Sequence, residues 1–405
     1  MSRKNHHHVL VAGAGPAGLA AALFLQQRGI DVDVIEERWH PPDDDVLVIL
    51  HADTAERLGD AGARIDLAHV ARAIDTIVVH DGSRIHATLP IGEVAAKVDT
   101  AAVVPLRIVR DSIATALQAR HVKVQWHRRL ARIDATTSSV VADIEVLDRD
   151  SAGYAISGID ECVSRIQYYA PAYLIAADGR ESVVRTQLRI GWRAIGPATT
   201  VAAFEFESRW DPGREVHLLV GDHCAVLWPG PEGRLRLTFH GSDAGPTLDT
   251  ERAPDRDVMM ALLHDLRWMD LPVGKLLWSQ VERVEQGVAE PTHLGPTWLV
   301  GEAAHRLLPL ASQSLNHGIR MAHDLAATID DVARGQGGGE LLARHATRSQ
   351  AQALRVAQVG DLYQPAVGAD GFIAANYRRI LPLVPAHGRD LDAVAARLGL
   401  QPRAL

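Results

Sequence analysis

Cysteine is almost absent from this chain of 405 residues, which contains only Cys162 and Cys224. Two cysteines cannot form the disulfide framework of a small secreted protein or a cysteine-based zinc site. A reducing cytoplasm is therefore the expected compartment. The adjacent histidines of segment 6–8 are not expected to bind a metal, because neighbouring side chains on a strand point to opposite faces.

The chain also has no excess of basic residues and no long apolar segment beyond its N-terminal one. Lysine and arginine number 42 against 50 acidic residues, which gives a formal net charge of −8. Without a long basic run, neither a nucleic acid nor a membrane is expected as the main partner. No segment beyond the N-terminal one is apolar enough over the ~20 residues that span a bilayer. The 47% of hydrophobic residues is typical of a soluble globular protein.

A strand, a glycine-rich turn, a helix and a second strand follow one another in residues 9–36. In such a βαβ unit Gly13 permits a tight turn, Gly15 lets the backbone approach a pyrophosphate, and Gly18 lets the helix pack closely on the strand. Free N–H groups and the positive dipole end of the helix then face the phosphates. The second strand ends at Glu36, whose carboxylate can accept hydrogen bonds from an adenosine ribose. The segment therefore predicts a dinucleotide site.

The remaining chain alternates between segments suited to a parallel sheet and antiparallel strands. Apolar strands lead into Asp178-Gly179 and into Gly301-Glu302, whereas residues 199–284 contain short strands separated by turn residues. We predict an α/β protein with a Rossmann-type βαβ domain, an inserted mainly antiparallel sheet domain and a C-terminal helical region. The predicted pieces are 1–72, 96–190 and 285–335 for the first domain, 73–95 and 191–284 for the sheet domain, and 336–405 for the helical region.

Local patterns predict several further elements. Asp81-Gly82 is a hairpin signal between two apolar runs at 74–79 and 84–89. Helices are expected at 53–62, 106–119, 255–266 and 314–334. Strands are expected at 122–126, 131–134, 140–147 and 155–159, the last three forming a meander that ends at 168–172.

Three motifs in a fixed order carry a family resemblance. They are the glycine turn at 13–18, Asp178-Gly179, and GEAAHRLLPLASQSLNHG at 301–318. Together they resemble the class A FAD-dependent aromatic hydroxylases, the flavoprotein monooxygenases typified by para-hydroxybenzoate hydroxylase. The resemblance covers most of residues 5–335 and implies a glutathione reductase-like FAD-binding domain. It also implies NAD(P)H as reductant, O2 as co-substrate, a flavin C4a-hydroperoxide and hydroxylation or epoxidation of a small molecule by a monomer or homodimer.

The same resemblance implies roles for individual residues. Arg110 would balance the pyrophosphate charge, with a solvent-facing helix charge as the alternative. Pro309 would line the space beside the reactive carbon of the flavin and is the first catalytic candidate. His305 is expected to be a packed histidine rather than a proton donor. The implied cofactor-binding residues are Gly13, Gly15, Pro16, Ala17, Gly18, Glu36, Arg110, Asp178, Gly179, Gly301, Glu302, Pro309, Ser314, Leu315 and Asn316.

The third motif departs from the family pattern at four positions. Glu302 stands where the family has aspartate, Ser312 and Ser314 replace two glycines, and Met321 replaces an acid. Because glycine permits close backbone approach and unusual φ/ψ values, the serines predict a shifted loop or a displaced flavin. The family's arginine after the second strand also has no counterpart. Residues 43–45 are aspartates instead, and they would repel a pyrophosphate if they turned inward.

The substrate is expected between the flavin and one face of the 199–284 sheet. Period-two alternation places Arg236, Thr238 and His240 on one face, and Trp228 is a further substrate candidate, with a solvent-facing position as the alternative for each. His240 is the second catalytic candidate, because a histidine can deprotonate a phenol, and His217 is its alternative. Abundant alanine and arginine with few lysines indicates a high-GC bacterial source. That source favours an aromatic or polyketide-like secondary metabolite, as in antibiotic biosynthesis.

Two other functions are compatible with these residues. The altered third motif motivates a redox-neutral cyclase or isomerase that keeps FAD as a structural element. A non-catalytic flavin-binding protein or a cofactor-free scaffold is the second alternative, and absence of yellow colour in the purified protein would favour it.

Overall fold

A computed structural model describes residues 8–43, 45–81, 84–90, 101–149, 161–195, 198–220, 224–240, 248–250, 252–268, 270–307, 309 and 312–360. The helices of these ranges are α1 (Pro16–Gln27), α2 (Ala52–Asp60), α3 (Leu67–Val70), α4 (Leu106–Ala119), α5 (Val183–Gln187), α6 (Arg256–Asp265), α7 (Gln313–Ala333) and α8 (Gly339–Gly360). Short 3-10 turns lie at Pro231–Gly233 and Gly301–Ala303. None of the helices in these ranges combines the length and apolarity required for crossing a membrane.

Strands occur throughout the same ranges. In chain order they are β1 (Val9–Ala12), β2 (Val32–Ile35), β3 (Leu47–Leu50), β4 (Arg72–Ala73), β5 (Thr76–Asp81), β6 (Arg84–Pro90), β7 (Ala102–Pro105), β8 (Val124–Gln125), β9 (Arg128–Ala135), β10 (Val140–Arg149), β11 (Glu161–Tyr169), β12 (Tyr173–Ala176), β13 (Gly191–Ala194), β14 (Thr199–Ser208), β15 (Glu215–Val220), β16 (Cys224–Pro229), β17 (Arg234–His240), β18 (Val273–Val284), β19 (Gly287–Glu290), β20 (His293–Leu294), β21 (Thr297–Leu299) and β22 (His305–Arg306).

A six-stranded sheet in the order β20-β21-β12-β1-β2-β8 carries the dinucleotide motif. Its strands are parallel from β21 to β8. Both faces of its centre are covered, which is why β1 is buried along its whole length and reads as a continuous apolar run. Helix α1 starts with Pro16 in its first turn and is followed by Gly29 at a φ of 75°, the left-handed position that commonly ends a helix. The predicted βαβ unit is confirmed.

A seven-stranded sheet in the order β18-β14-β17-β16-β15-β5-β6 forms the second large layer. Its pairs are antiparallel except for β5 and β15, which are parallel. Residues of β14–β18 that point to one face form a core with α6 and Trp268. The predicted antiparallel region is confirmed, and the hairpin of β5 and β6 joins it, although turn residues 82 and 83 lie outside the described ranges. The exact domain boundaries stay a prediction.

Three smaller sheets complete the fold: β11-β10-β9, β13-β19-β22 and β3-β7-β4. The first is the predicted meander, except that the expected strand at 155–159 lies outside the described residues. Helix α4 has the predicted bounds. The predicted helical region begins with α8, which packs on α7 through a contact between Thr328 Oγ1 and His345 Nδ1 at 3.2 Å. The expected helical character of 361–405 also falls outside the described residues.

Candidate flavin site

The first and second motifs touch at the ends of neighbouring parallel strands. Gly13 has a φ of 103°, and a Cβ there would collide with the carbonyl of Ala177, which follows β12. A Cβ on Gly18 would collide with the Gly13 carbonyl and approach the Ala177 side chain to 3.1 Å. Only glycine fits both positions, because the turn, α1 and the end of β12 meet there without room for a side chain.

The third motif reaches the same place from β21. Gly301 has a φ of 65°, and a Cβ there would lie 2.8 Å from the Cβ of Ala17 in the first turn of α1. A Cβ on Gly318 would lie 3.0 Å from the Gly301 Cα and 3.3 Å from Ala17. The three motifs, separated by more than 100 residues each, therefore meet around the N-terminus of α1.

Gly15 faces free space at this meeting point, because a Cβ added there has no neighbour within 4 Å among the described residues. It is the N-cap of α1, so the first N–H groups of the helix point into the same space. The Glu36 carboxylate, 7% exposed, lies beside the turn and accepts hydrogen bonds from the Ala14 N–H at 2.8 Å and the Arg38 N–H at 3.2 Å. An open cradle of N–H groups flanked by a fixed carboxylate fits the pyrophosphate and ribose of a dinucleotide.

Asp178 adds an acceptor at the end of β12. Its Oδ2 accepts from the Val184 N–H at 3.1 Å, whereas its buried Oδ1 has no hydrogen-bond partner within the described part of the chain. Burial raises the pKa of this carboxyl, and hydrogen bonds from Ser182 and nearby N–H groups partly offset that rise. A buried oxygen without a partner costs about 1–3 kcal/mol, so a hydroxyl donor on a bound cofactor would fit here.

Glu302 lies in the short 3-10 turn at Gly301–Ala303, within the third motif. Its side chain is exposed, yet surrounding protein raises the pKa of its carboxyl and Glu282 raises it further, against the opposing charges of Arg306 and Arg180. Glu282 Oε2 in turn accepts from Arg180 Nη1 at 3.1 Å and from Arg306 Nη2 at 3.0 Å.

The two serines that replace family glycines both have defined hydrogen bonds. Ser312 keeps the left-handed backbone at a φ of 51°, and its Oγ accepts from the Ile49 N–H at 3.0 Å. Ser314 Oγ accepts from the Leu307 N–H at 3.1 Å. Ser312 thus keeps a glycine-like backbone that is held by a hydrogen bond to β3, and the expected shift of the loop or of the flavin stays a prediction.

Asn316 is fully buried at the start of α7 and binds backbone only. Its Oδ1 accepts from the His51 N–H at 2.9 Å, and its Nδ2 donates to the carbonyls of Ile49 at 2.8 Å and Ser312 at 2.9 Å. These three bonds occupy the amide, so the side chain that was predicted to bind the cofactor holds β3 against α7.

Arg185 connects the second motif to the third, a role its position alone does not reveal. Its Nη1 donates to the Ala303 carbonyl at 2.9 Å, its Nη2 donates to the Arg180 carbonyl at 2.6 Å, and the guanidinium lies 5.0 Å from the centroid of the Trp192 ring. A planar, five-donor group makes all three contacts at once, and lysine cannot.

Replacing Arg185 with lysine is therefore expected to lower the free energy of unfolding by about 1–3 kcal/mol. Urea unfolding monitored by circular dichroism measures this difference. Arg189→Lys, at an exposed position four residues on, is the matched control and should change stability by less than about 0.5 kcal/mol. Equal stability of the two variants would contradict the bridging role.

Two histidines behind the third motif are buried as neutral groups. His305 and His317 are 0% and 2% exposed, and their ring centroids lie 4.5 Å apart. Burial lowers the pKa of His305 to about 4, and it lowers the pKa of His317 well below 6.5 with help from His305 and Arg320. The expectation that His305 is a packed residue is in keeping with this burial.

We expect acid to destabilise the protein through these groups. The unfolded chain binds a proton at His305 near pH 6.5 but the folded chain only near pH 4, so stability is full above pH 6.5 and falls as the pH drops towards 4. The loss is about 3 kcal/mol for this group. His305→Gln should flatten the dependence of unfolding free energy on pH between 7 and 4.5, whereas exposed His264→Gln should not. An unchanged slope in His305→Gln would contradict the assignment.

Three other predicted cofactor residues have clear positions. Arg110 is 7% exposed on α4, so the alternative of a solvent-facing helix charge is wrong. Pro309 is half-buried, and its neighbours 308, 310 and 311 lie outside the described residues. Leu315 is half-buried and packs on the core of the six-stranded sheet. Asp45, expected to repel a pyrophosphate if turned inward, instead accepts from Arg234 Nη1 at 3.1 Å.

The structure corrects the predicted substrate contacts of Trp228, Arg236 and Thr238, because these side chains are buried. Arg236 and Thr238 share a face as predicted, opposite the α6 core, and Trp228 pairs with Arg236 in the ladder. Trp228 and Thr238 expose no surface, so neither reaches a ligand in this structure. Arg236 is 9% exposed and is engaged by Glu205 and the Leu47 carbonyl.

The two histidine candidates have different outcomes. The side chain of His240 lies outside what the structure describes, although its backbone is part of β17. His217 pairs with Leu227, which belongs to the α6 core, and its ring lies 5.9 Å from that of Trp268. It therefore occupies the face opposite Arg236, and the alternative role as a phenol base at the flavin is wrong.

A separate cleft of about 530 Å³ opens between α1, α2 and α7. It lies at the C-terminal end of α1, the opposite end from Gly15. It is lined by two arginines, three carboxylates and two further polar side chains, which are Arg28, Arg57, Asp53, Glu56, Asp60, Gln27 and His323. Its position excludes it as the site where the three motifs meet.

The fold and the cradle define a flavoprotein of the Rossmann-type dinucleotide-binding class. The chain belongs to the family described as FAD binding domain, which matches residues 6–359. This confirms the predicted resemblance and the predicted fold class, and FAD is the cofactor of the family.

Individual relatives support the same family. The chain is 27% identical over 355 residues to 6-methylpretetramide 4-monooxygenase of Streptomyces rimosus, covering 84% of this chain but 58% of that protein. It is 25% identical over 389 residues to dialkyldecalin synthase of Streptomyces rugosporus, covering 87% and 74%. The structure of p-nitrophenol 4-monooxygenase PnpA from Pseudomonas putida DLL-E4 has the same fold, with a TM-score of 0.76, 19% identity and 98% of each chain covered.

Proposed function

We propose that this chain is an FAD-dependent monooxygenase that uses NAD(P)H and O2 to oxygenate an aromatic or polyketide-like small molecule. The observation that carries the proposal is the meeting of the three motifs around the N-terminus of α1. The Streptomyces rimosus relative, named as a monooxygenase of 6-methylpretetramide, supports the reaction type and the substrate class. When bound, FAD supplies the redox chemistry, in which NAD(P)H and O2 are consumed, one oxygen atom enters the substrate and the other leaves as water.

The chain's own residues would bind and orient the cofactor. The N–H groups at the start of α1, next to Gly15, would hold the pyrophosphate, and Glu36 would fix the adenosine ribose. Asp178 Oδ1 and the Glu302 carboxylate would accept hydrogen bonds from cofactor hydroxyls. The positive end of the α7 dipole would stabilise negative charge on the reduced flavin ring. Pro309 and His240 remain the candidates for the reacting side of the ring.

Anaerobic mixing of the FAD-loaded protein with NADH or NADPH tests the proposal. We expect the flavin to lose its absorbance near 450 nm and, after oxygen is admitted, substrate-dependent O2 uptake with about one product per NAD(P)H oxidised. A substrate screen should begin with polycyclic aromatic and polyketide compounds. A flavin that stays oxidised with both nicotinamides and every substrate would contradict a monooxygenase.

The second candidate function is a redox-neutral cyclase or isomerase that requires FAD without reducing it. It is favoured by Glu302 in place of aspartate and by the relative named dialkyldecalin synthase. The same experiment separates the two, because this candidate forms an isomeric product while the flavin stays oxidised and no O2 is consumed. A colourless protein that does not respond to added FAD would favour the cofactor-free alternative.

A further inference from the structure

Within the described ranges, strand β3 pairs with β7 along one edge, and side chains bind its backbone along the other edge. The ladder joins Leu47 to Pro105 and Ile49 to Val103. On the opposite edge, the N–H and C=O groups of Leu47 bind side chains of the seven-stranded sheet. The N–H and C=O groups of Ile49 bind side chains of the third motif. The strand therefore lies between the seven-stranded sheet and the third motif, and it is part of neither.

The first of these structures is the seven-stranded sheet. Glu205 of β14 has no exposed surface, and its Oε1 accepts from the Leu47 N–H at 2.6 Å and from Arg236 Nη1 at 2.7 Å. Arg236 Nη1 also donates to the Leu47 carbonyl at 2.9 Å. Arg234 Nη2 donates to Glu205 Oε2 at 2.8 Å and to the Asp45 carbonyl at 2.6 Å. The carboxylate and two guanidinium groups thus bind the backbone of segment 45–47 as a neighbouring strand would.

The second structure is the third flavin motif. Ser312 Oγ accepts from the Ile49 N–H, and Asn316 bonds the Ile49 carbonyl and the His51 N–H. Ile49 lies two positions after Leu47, a rise of about 7 Å along a strand. The sheet expected to hold the substrate and the loop expected to hold the flavin ring are therefore joined through one short strand.

The connection between β3 and the seven-stranded sheet is made by charged groups. Glu205 faces two arginines, and buried charged hydrogen bonds are short and directional. A buried ion cluster adds little net stability compared with an apolar core of equal volume, but it specifies one arrangement. Here the cluster specifies the position of the β3 backbone, because the Leu47 N–H binds Glu205 and the Leu47 carbonyl binds Arg236.

We propose that Glu205 and Arg236 are positioning residues for the flavin. They fix β3, and β3 fixes the left-handed turn at Ser312 and the first turn of α7. This inference rests on the proposed flavin site, because it assigns the third motif to the flavin ring. It also gives Arg236 a role different from the substrate contact predicted from the sequence.

Arg236→Met is the test variant, because it removes the hydrogen bonds from Nη1 to the Leu47 carbonyl and to Glu205, yet leaves Glu205 paired with Arg234. Arg283→Met, at an exposed position on β18, is the matched control. Two measurements are made on the full chain: the FAD dissociation constant from fluorescence quenching, and amide hydrogen exchange of the peptide spanning 312–320, which contains none of the hydrogen-bond partners of Arg236 named above. Arg236→Lys and Glu205→Gln are measured beside it, with exposed Glu207→Gln as control, in case the methionine variant does not fold.

We expect Arg236→Met to raise the FAD dissociation constant about tenfold, to shift the visible band of the bound flavin, and to accelerate exchange in 312–320 in the apoprotein. Faster exchange confined to 45–50 and the sheet, with wild-type FAD affinity and wild-type exchange in 312–320, would overturn the proposal. If the wild-type protein does not bind FAD, the proposed function fails. The exchange of 312–320 in the apoprotein still decides whether the connection exists.

Discussion

Replacing Gly15 with alanine is expected to weaken FAD binding about 100-fold, an effect of about 3 kcal/mol, while the apoprotein stays folded. A Cβ at this position meets no described atom within 4 Å, and the backbone has a φ of −67° that alanine adopts without strain. The methyl group would instead occupy the space through which a pyrophosphate approaches the N–H groups of α1. Isothermal titration with FAD measures the loss, and thermal unfolding of the apoprotein checks the fold.

Gly338→Ala is the control for this prediction, because a Cβ there also meets no described atom within 4 Å and the residue lies between α7 and α8. Both variants should melt within a few degrees of the wild-type apoprotein, and only Gly15→Ala should lose FAD. Equal FAD affinity in the two variants would mean that the space beside Gly15 does not receive the cofactor.

Replacing Asn316 with aspartate is expected to be the most destabilising isosteric change at the site, with a loss of about 3–5 kcal/mol in the free energy of unfolding. The new carboxylate keeps the shape of the amide and can still accept from the His51 N–H. Its second oxygen, however, would face the carbonyls of Ile49 and Ser312, which now receive a donor. A fully buried negative charge would then lie against two acceptors.

Urea unfolding at pH 7.5 measures this loss, and the exposed Gln118→Glu on α4 makes the same chemical change without burial. The control should stay within about 0.5 kcal/mol of wild type. An increase in the stability of Asn316→Asp as the pH is lowered would support a buried carboxylate at position 316. A wild-type unfolding curve at pH 7.5 would show that Asn316 does not hold β3.

Elements with strong local signals could be predicted closely from the sequence. Helix α4 has the predicted limits because its apolar positions recur at helical spacing, and Ile113 and Leu117 are buried as that spacing requires. The βαβ unit was predictable because glycine at 13, 15 and 18 has few other uses in a strand–turn–helix segment. The second and third motifs could be placed beside it because the carboxyl ends of parallel strands share one edge of a sheet.

The site residues on the seven-stranded sheet could be predicted only in part. Alternation correctly groups Arg236 with Thr238, but it does not reveal what covers their face. Arg236 is covered by β3, about 190 residues earlier in the chain, where Leu47 binds both Arg236 and the buried carboxylate of Glu205. In the sequence Glu205 stands in an ordinary strand pattern. Only the apolar residues on both sides of it could have indicated that the carboxylate is buried and has a partner of opposite charge. His217 failed as a candidate because its pairing with Leu227 places it on the face that packs against α6, and this pairing cannot be read from the sequence.

The central claim is that the three motifs hold one FAD, and amide hydrogen exchange during an FAD titration tests it most directly. Peptides covering 13–18, 178–184 and 301–318 should all become protected with the same dependence on FAD concentration and should saturate together at one FAD per chain. Protection of the first segment alone, or protection of the three segments at different FAD concentrations, would contradict a single shared site.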